Sequence, residues 1–453
     1  MASTYLSKTL PIHHGAVYKW TYSFWVKRGT LGTNQCMVGI RNSGTYNAQI
    51  RFTSNDSLEI HDYRTSYKLQ KITTRKFRDT SAWYHIVMSN DNSVSSPDLK
   101  IYVNGVEETS FSTDNEYSQN ETTSFNNIYP NYIGQKGSGA DYFDGSMSHF
   151  HFIDGTAYDA DTFGSLDSVT GEWKIKTDVS VTYGTNGFFL LKDDNAVTDQ
   201  SGNSNNFTLG GGTLTKTEDC PSNVFPTFNY LAKHGTTTSN QYDFLLNGNT
   251  TFYTPSDNNA RKGLFLTSLG ATSGKYYCEY KQGGGDRLMA GICNANIFSS
   301  TSAPYDVSNQ SAIFYYEANS EIRYDGGTTY TTGIQGGADG DIFGFALDLD
   351  NKHWYIHKNG TYFNSGDPTS GSTGTGSIIA ATSTSAYFNH GEMFFCAGDF
   401  STGGYATSNW NFGNGYFGTT AVSSAGTNAS GNGIFEYDVP TGYTALSTKG
   451  LNL

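Results

Sequence analysis

Charge is scarce in this chain. Of its 453 residues, 15% are charged, against about 25% in an ordinary soluble domain. The net charge is −13 and no basic stripe runs through the sequence, which excludes a nucleic-acid groove and disfavours anionic membranes. Cysteine is sparse and odd in number: Cys36, Cys220, Cys278, Cys293 and Cys396, with no CxxC pair. That spacing argues against a disulfide scaffold or a zinc-cysteine site and makes buried free thiols the expectation, as in a reducing cytoplasm. No apolar run approaches the ~18 residues of a membrane helix. The first eight residues lack an apolar leader, so synthesis in a cytoplasm without classical export is expected. Heptads, short fibre repeats, Gly-x-Ser-x-Gly elbows and phosphate loops are also missing.

What is abundant is glycine (52), tyrosine (32) and phenylalanine (29). Tyr, Phe and Thr favour strands while Gly, Asn and Ser favour turns, so the composition is all-β. The length exceeds one ordinary sandwich and suits two. Residues 340–363 show the pattern most clearly. Phe343, Phe345, Leu347 and Leu349 share one parity; Gly344, Ala346, Asp348 and Asp350 share the other. A period of two is a strand with a core face and a wet or tightly packed face. A turn at 350–352 leads into a second strand that ends at Asn359-Gly360, a pair suited to a type I′ hairpin turn. Earlier, Trp20, Tyr22, Phe24 and Val26 alternate, residues 57–62 alternate, and residues 99–103 end at Asn104-Gly105.

These segments carry two family resemblances. Residues 22–26, 83–87, 99–105 and 143–147 resemble strands of the concanavalin A-like, laminin-G-type lectin superfamily. Residues 274–280, 289–292, 321–324 and 340–360 resemble SPRY domains. The resemblances imply two tandem antiparallel β-sandwiches, a lectin-like jelly roll over 1–218 and a SPRY-like sandwich over 219–453. A linker-like stretch falls near 232–242. Residues 155–175 depart from the strand repeat and predict a short helix or ordered loop. Phe225, Pro226, Phe228 and Tyr230 are too aromatic for a free linker and are expected to pack on a sandwich.

Concanavalin A-like glycanases carry carboxylates spaced by two on one strand. The nearest runs here, residues 59–62 and 348–350, do not match that pattern. The chain therefore reads as a non-enzyme. Asp193, Asp194, Asp199 and Asn203 form a dense oxygen set and are the candidate calcium ligands; no other cofactor is expected. The histidine pairs 149/151 and 353/357 share a face but lack a visible third zinc ligand. Tyrosine stacks on sugar faces at low entropy cost. Tyr305, Tyr315, Tyr316, Tyr324 and Tyr330 in the second half, and Tyr129, Tyr132 and Tyr142 in the first, are the candidate glycan or receptor contacts.

The tandem order resembles structural and adhesion proteins of bacteriophages. It implies a virion-surface fibre or spike adhesin that binds host polysaccharide, touches other virion proteins and assembles as a homo-oligomer, with a trimer the usual fibre arrangement. Capsid decoration without glycan binding, a glycan depolymerase and a cellular lectin are the alternatives.

Overall fold

In strand Lys19–Arg28, Trp20, Tyr22, Phe24 and Val26 all point one way, and all four are buried. The computed structural model describes residues 3–11, 18–192, 197–234, 244–255, 263–299, 310–324, 328–330, 334–379, 385–399 and 404–452. The chain divides into two units, Met1–Lys216 and Thr217–Leu453. Both are all-β and almost wholly antiparallel.

The strands of the first unit are β1 (Tyr5–Thr9), β2 (Lys19–Arg28), β3 (Gln35–Ser43), β4 (Tyr46–Phe52), β5 (Leu58–Arg64), β6 (Ser66–Thr73), β7 (Tyr84–Asp91), β8 (Lys100–Val103), β9 (Val106–Glu107), β10 (Phe111–Asn115), β11 (Pro130–Ile133), β12 (Gly145–Asp154), β13 (Gly164–Leu166), β14 (Trp173–Ile175), β15 (Phe188–Leu190) and β16 (Thr208–Gly211). They form an eight-stranded sheet in the order β10-β6-β5-β4-β3-β11-β1-β16 and a six-stranded sheet in the order β15-β12-β2-β7-β8-β9. One face of each sheet supplies the core. Phe24, Ile86, Met88 and Phe150 from the smaller sheet share it with Ile40, Ile50, Ile60 and Leu69 from the larger. The Phe24 and Phe150 rings stack at 4.8 Å. Residues 155–175 form a short 3-10 turn, Ala160–Thr162, followed by the β13–β14 ribbon. Trp173 of that ribbon stacks on His85 and donates its indole N–H to His85 Nδ1 at 2.9 Å.

In the second unit, strand Ile342–Asp348 lies between Lys275–Gly285 and His353–Lys358. Phe343, Phe345, Leu347 and Leu349 enter the core. Asn359 and Gly360 both adopt positive φ, as do Asn104 and Gly105, the backbone a two-residue I′ hairpin requires. Asp348, on the parity read as wet or tightly packed, is buried and paired with Lys275 at 2.8 Å. Phe225 and Phe228 pack into this unit, and strand Phe228–His234 pairs with Leu264–Thr267. The linker-like stretch therefore falls inside the second unit, and its residues 235–242 lie outside the described ones.

The small parity, Gly344 and Ala346, is tightly packed. Phe435, Val439, Tyr443 and Ala445 from the C-terminal stretch cover Tyr277, Ala346 and Tyr355. Glu279 pins that stretch by accepting hydrogen bonds from the backbone N–H groups of Glu436 (2.8 Å) and Tyr437 (2.9 Å). His357 Nδ1 accepts from Gly360 N–H at 3.1 Å, so Nε2 carries the ring hydrogen and donates to the Tyr277 hydroxyl at 2.6 Å. Tyr277 in turn donates to Glu279 at 2.9 Å. Burial holds His357 neutral, lowering its pKa to about 3.

A Cβ at Gly344 would run into His357 Nε2. Gly344→Ala should cost about 2 kcal/mol of stability; an unchanged denaturation midpoint would show that the ring has room to move. Burial also raises Glu279 to about 7, against the hydrogen bonds that pull it down. The folded unit then keeps a proton that the unfolded chain releases near the ordinary 4.5. Glu279 therefore slopes the stability of this unit downward as pH rises from ~4.5 to ~7, opposed below ~6.5 by His357, which the unfolded chain protonates and the folded unit does not. Glu279→Gln should flatten that slope in part, leaving the share of Glu317, which burial also lifts to about 7. Unfolding midpoints between pH 5 and 8 test this, and a slope identical in wild type and Glu279→Gln would refute it.

Candidate functional site

The core parity of β4, β5 and β6 fixes the other parity outward, and the strand register arranges it in rows. One row runs Tyr67, Tyr63, Asn47, Arg41. The next runs Gln70, His61, Gln49, Gly39, Tyr132. The third runs Ile72, Glu59, Arg51. Nearly every side chain here is a planar polar group or a tyrosine. Directly opposed residues on an antiparallel pair lie within reach of each other, and these make use of it.

Arg51 sets two nitrogens on Glu59 Oε2, Nε at 2.8 Å and a terminal nitrogen at 2.7 Å. The other oxygen of Glu59 accepts from Gln70 Nε2 at 3.0 Å and lies 3.1 Å from His61 Nδ1. Burial pushes this carboxyl up, but the hydrogen bonds from His61 and Gln70 and the charge of Arg51 win, holding its pKa at about 2. On its far side, His61 Nε2 is 3.2 Å from Asn47 Oδ1, which also accepts from Gln49 Nε2 at 3.3 Å. Tyr67, 48% exposed, sets its ring edge-on to His61 and to Tyr63. The Gln49 carbonyl oxygen is buried without a hydrogen-bond partner among the described residues, although Gln49 is only 8% exposed. The loop after β11 walls the site: the Gln135 carbonyl rests on Gly39 where any side chain would collide. Asp62 belongs to the opposite parity and is spent inside, accepting from Tyr117 Oη (2.9 Å), Ser124 N (2.8 Å) and Ser124 Oγ (2.7 Å).

Of the tyrosines singled out in the sequence, Tyr132 lies on this sheet beyond the wall. With Tyr5 and Tyr142 it makes a half-buried group of rings, with Tyr5 6.2 Å from Tyr132 and 6.3 Å from Tyr142. Tyr129 packs partly against the core. Tyr315 and Tyr316 must be corrected. Tyr315, 0% exposed, is a core residue whose hydroxyl donates to Gln335 O, and Tyr316, 1% exposed, receives a hydrogen bond from Arg287. Neither offers a ring face to a ligand. Tyr324 is half-buried beside Tyr387. Tyr305 and the side chain of Tyr330 lie outside the described residues.

The calcium set does not assemble from its described members. Asp193 and Asp194 lie outside the described residues. Asp199 uses both oxygens to fold its own loop, accepting from Phe189 N, Ser201 N, Ser201 Oγ and Asn205 N. Asn203 donates its amide hydrogens to Gly184 O and Gly187 O, beside an open cavity of ≈ 440 Å³ lined by Tyr183, Thr185 and Ser201. Among the described residues, no three His, Cys, Asp or Glu side chains are grouped to hold a metal ion.

Apart from Tyr132, the residues of the three rows escaped the sequence reading as a binding site. Their signal is the spacing-by-two of Asn47, Gln49, Arg51 and of Glu59, His61, Tyr63, repeated on neighbouring strands.

The family model described as the concanavalin A-like lectin/glucanases superfamily matches residues 3–161, which include all three rows. No curated protein matches the chain. Among solved structures it is similar to the SPRY domain of human HERC1, at 16% identity, 40% of this chain, 96% of that one and a TM-score of 0.29. It is similar to a putative carbohydrate binding protein from Bacteroides ovatus, at 18% identity, 46% and 56% coverage and a TM-score of 0.31. It is also similar to a heptameric SAP-like pentraxin from Limulus polyphemus, at 14% identity, 48% and 91% coverage and a TM-score of 0.29. Likeness of this degree bears on neither ligand nor assembly.

Proposed function

We propose that the first unit binds carbohydrate non-covalently across the outward rows of β4, β5 and β6, and that the chain acts as a surface adhesin of a virus particle. The observation that carries the binding reading is the row arrangement itself. Planar hydrogen-bonding groups are held by one another, with two tyrosines at the margin. Sugars present hydroxyls in the ring plane and apolar faces above it, so amide, guanidinium and carboxylate groups beside aromatic rings are complementary to them. The residues 3–161 matched by a lectin/glucanase model favour the same ligand class. The virion location rests on the charge-poor, Gly- and Tyr-rich composition and on five free cysteines.

The reading is non-enzymatic. Glycoside hydrolysis commonly uses two carboxyl groups, one of them protonated. The rows hold one carboxylate, Glu59, ionised and forked by Arg51; Asp62 faces the core.

An array of glycans and bacterial polysaccharides, probed with the full chain, tests this. Tyr67→Ala should weaken binding about fivefold, and Gln49→Leu should weaken it too, both with an unchanged melting temperature. Binding indifferent to both substitutions would remove the ligand from this face. Shortened glycan products would overturn the non-enzymatic reading, and a blank array with folded protein would favour a capsid-decoration role.

A further inference from the structure

We infer that the saccharide this face takes is acidic, a uronic-acid polysaccharide whose carboxylate is received by Arg41 and Asn47. The inference rests on the carbohydrate reading above.

The argument is one of unmatched donors. Arg51 is matched by Glu59 within the rows. Arg41 is not: it has no hydrogen-bond or ion-pair partner among the described residues. It stands directly across from Asn47 in the β3–β4 register. The Asn47 amide oxygen accepts from Gln49 and, when both ring nitrogens of His61 carry a hydrogen, from His61 as well, whereas its amide nitrogen has no partner among the described residues. A guanidinium fork and an amide N–H₂ therefore sit side by side with nothing to accept from them. A planar carboxylate is the group that fits such a fork in two parallel hydrogen bonds. Arg41 is only half-exposed, and the wall loop supports its stem: a Cβ at Gly137 would come within 2.9 Å of both Arg41 Cβ and the Tyr132 ring.

One row away, the Gln49 carbonyl oxygen is the complementary vacancy, a buried acceptor without a donor. The oxygen is closed off from solvent, so a ligand hydroxyl reaches it only once the Gln49 side chain turns outward, which would relieve the desolvation cost of leaving it bare. Carboxylate and hydroxyl close together on one sugar ring describe a uronic acid. The charge distribution permits such a ligand. Residues 1–216 hold 18 Lys and Arg against 22 Asp and Glu, so most of the net −13 belongs to the second unit and a polyanion is not strongly repelled from the first.

The test is calorimetry of the full chain with polygalacturonate, alginate and hyaluronate, with methyl-esterified polygalacturonate and dextran as neutral controls, and with dextran sulfate as a non-carboxylate polyanion. Wild type should bind at least one uronate polymer, and binding to polygalacturonate should fall about tenfold or more on esterification. Arg41→Gln should lose the same factor and discriminate no longer, with an unchanged melting curve, while Arg41→Lys should recover part of it. Equal binding of acid and ester, or an Arg41→Gln affinity equal to wild type, overturns the inference. So does tighter binding of dextran sulfate that Arg41→Gln leaves intact, which would mark general polyanion adsorption. Neutral glycans bound in a Tyr67-dependent way, with no uronate bound, would sink the acidic ligand and leave the carbohydrate reading standing. No saccharide bound at all sinks both.

Discussion

Period-two alternation is the constraint on which everything else in this molecule depends. A strand cannot bury one face without fixing what the other presents, and a slip of one residue would exchange the two. In the larger sheet of the first unit the inward residues are apolar and continuous, which leaves Asn47, Gln49, Arg51, Glu59, His61 and Gln70 together on the outside. In the second unit the same rule places Gly344 and Ala346 opposite the core, and there the outward face is closed by the C-terminal stretch. These two sheets thus treat their second faces differently. One is packed dry over small residues, and the other is left as a hydrogen-bonded surface.

Two glutamates show how far that difference reaches. Glu59 and Glu279 each sit on an outward parity and each is buried by neighbours. Desolvation is the largest influence on both and pushes both up. Glu59 has the His61 hydrogen bond and then a guanidinium against it and ends near 2; Glu279 has backbone N–H groups and a tyrosine hydroxyl, no cation, and ends near 7. Neutral donors soften the cost of burying a carboxylate without cancelling it, whereas a full opposite charge does cancel it. The first arrangement suits a surface that must stay charged in water. The second suits a buried pin whose proton is part of the packing.

How much of this was legible depended on how local each signal is. The strands around Trp20 and Phe343 and the turns at Asn104-Gly105 and Asn359-Gly360 are written in adjacent residues, so alternation and turn chemistry disclose them. The rows are not local. Arg41 and Asn47 meet across one hairpin, but Tyr63 and Tyr67 join them only through two further registers with shifts in between, which no single segment reveals. Tyrosine misled for another reason. Its ring fills a core as readily as it covers a surface, and Tyr315 and Tyr316 sit in strands whose partners on both sides are occupied. Asp199 misled because aspartate is equally apt as a turn brace and as a ligand, and three donors from its own loop and one from β15 claim it here.

A preformed network has an energetic consequence for recognition. Ordering a long side chain on binding costs about 0.5–1.5 kcal/mol, and on this face Arg51, Gln70, Gln49 and His61 are already held by their neighbours. Those groups supply shape and orientation at little further entropic cost, but having satisfied one another they supply little new hydrogen bonding. The groups left over, the Arg41 fork, the Asn47 amide nitrogen and the Gln49 carbonyl, are few and chemically distinct. Specificity on such a surface falls to the unsatisfied minority, because a ligand that cannot meet them leaves them desolvated and unpaired, and that loss exceeds what any of the satisfied groups could return.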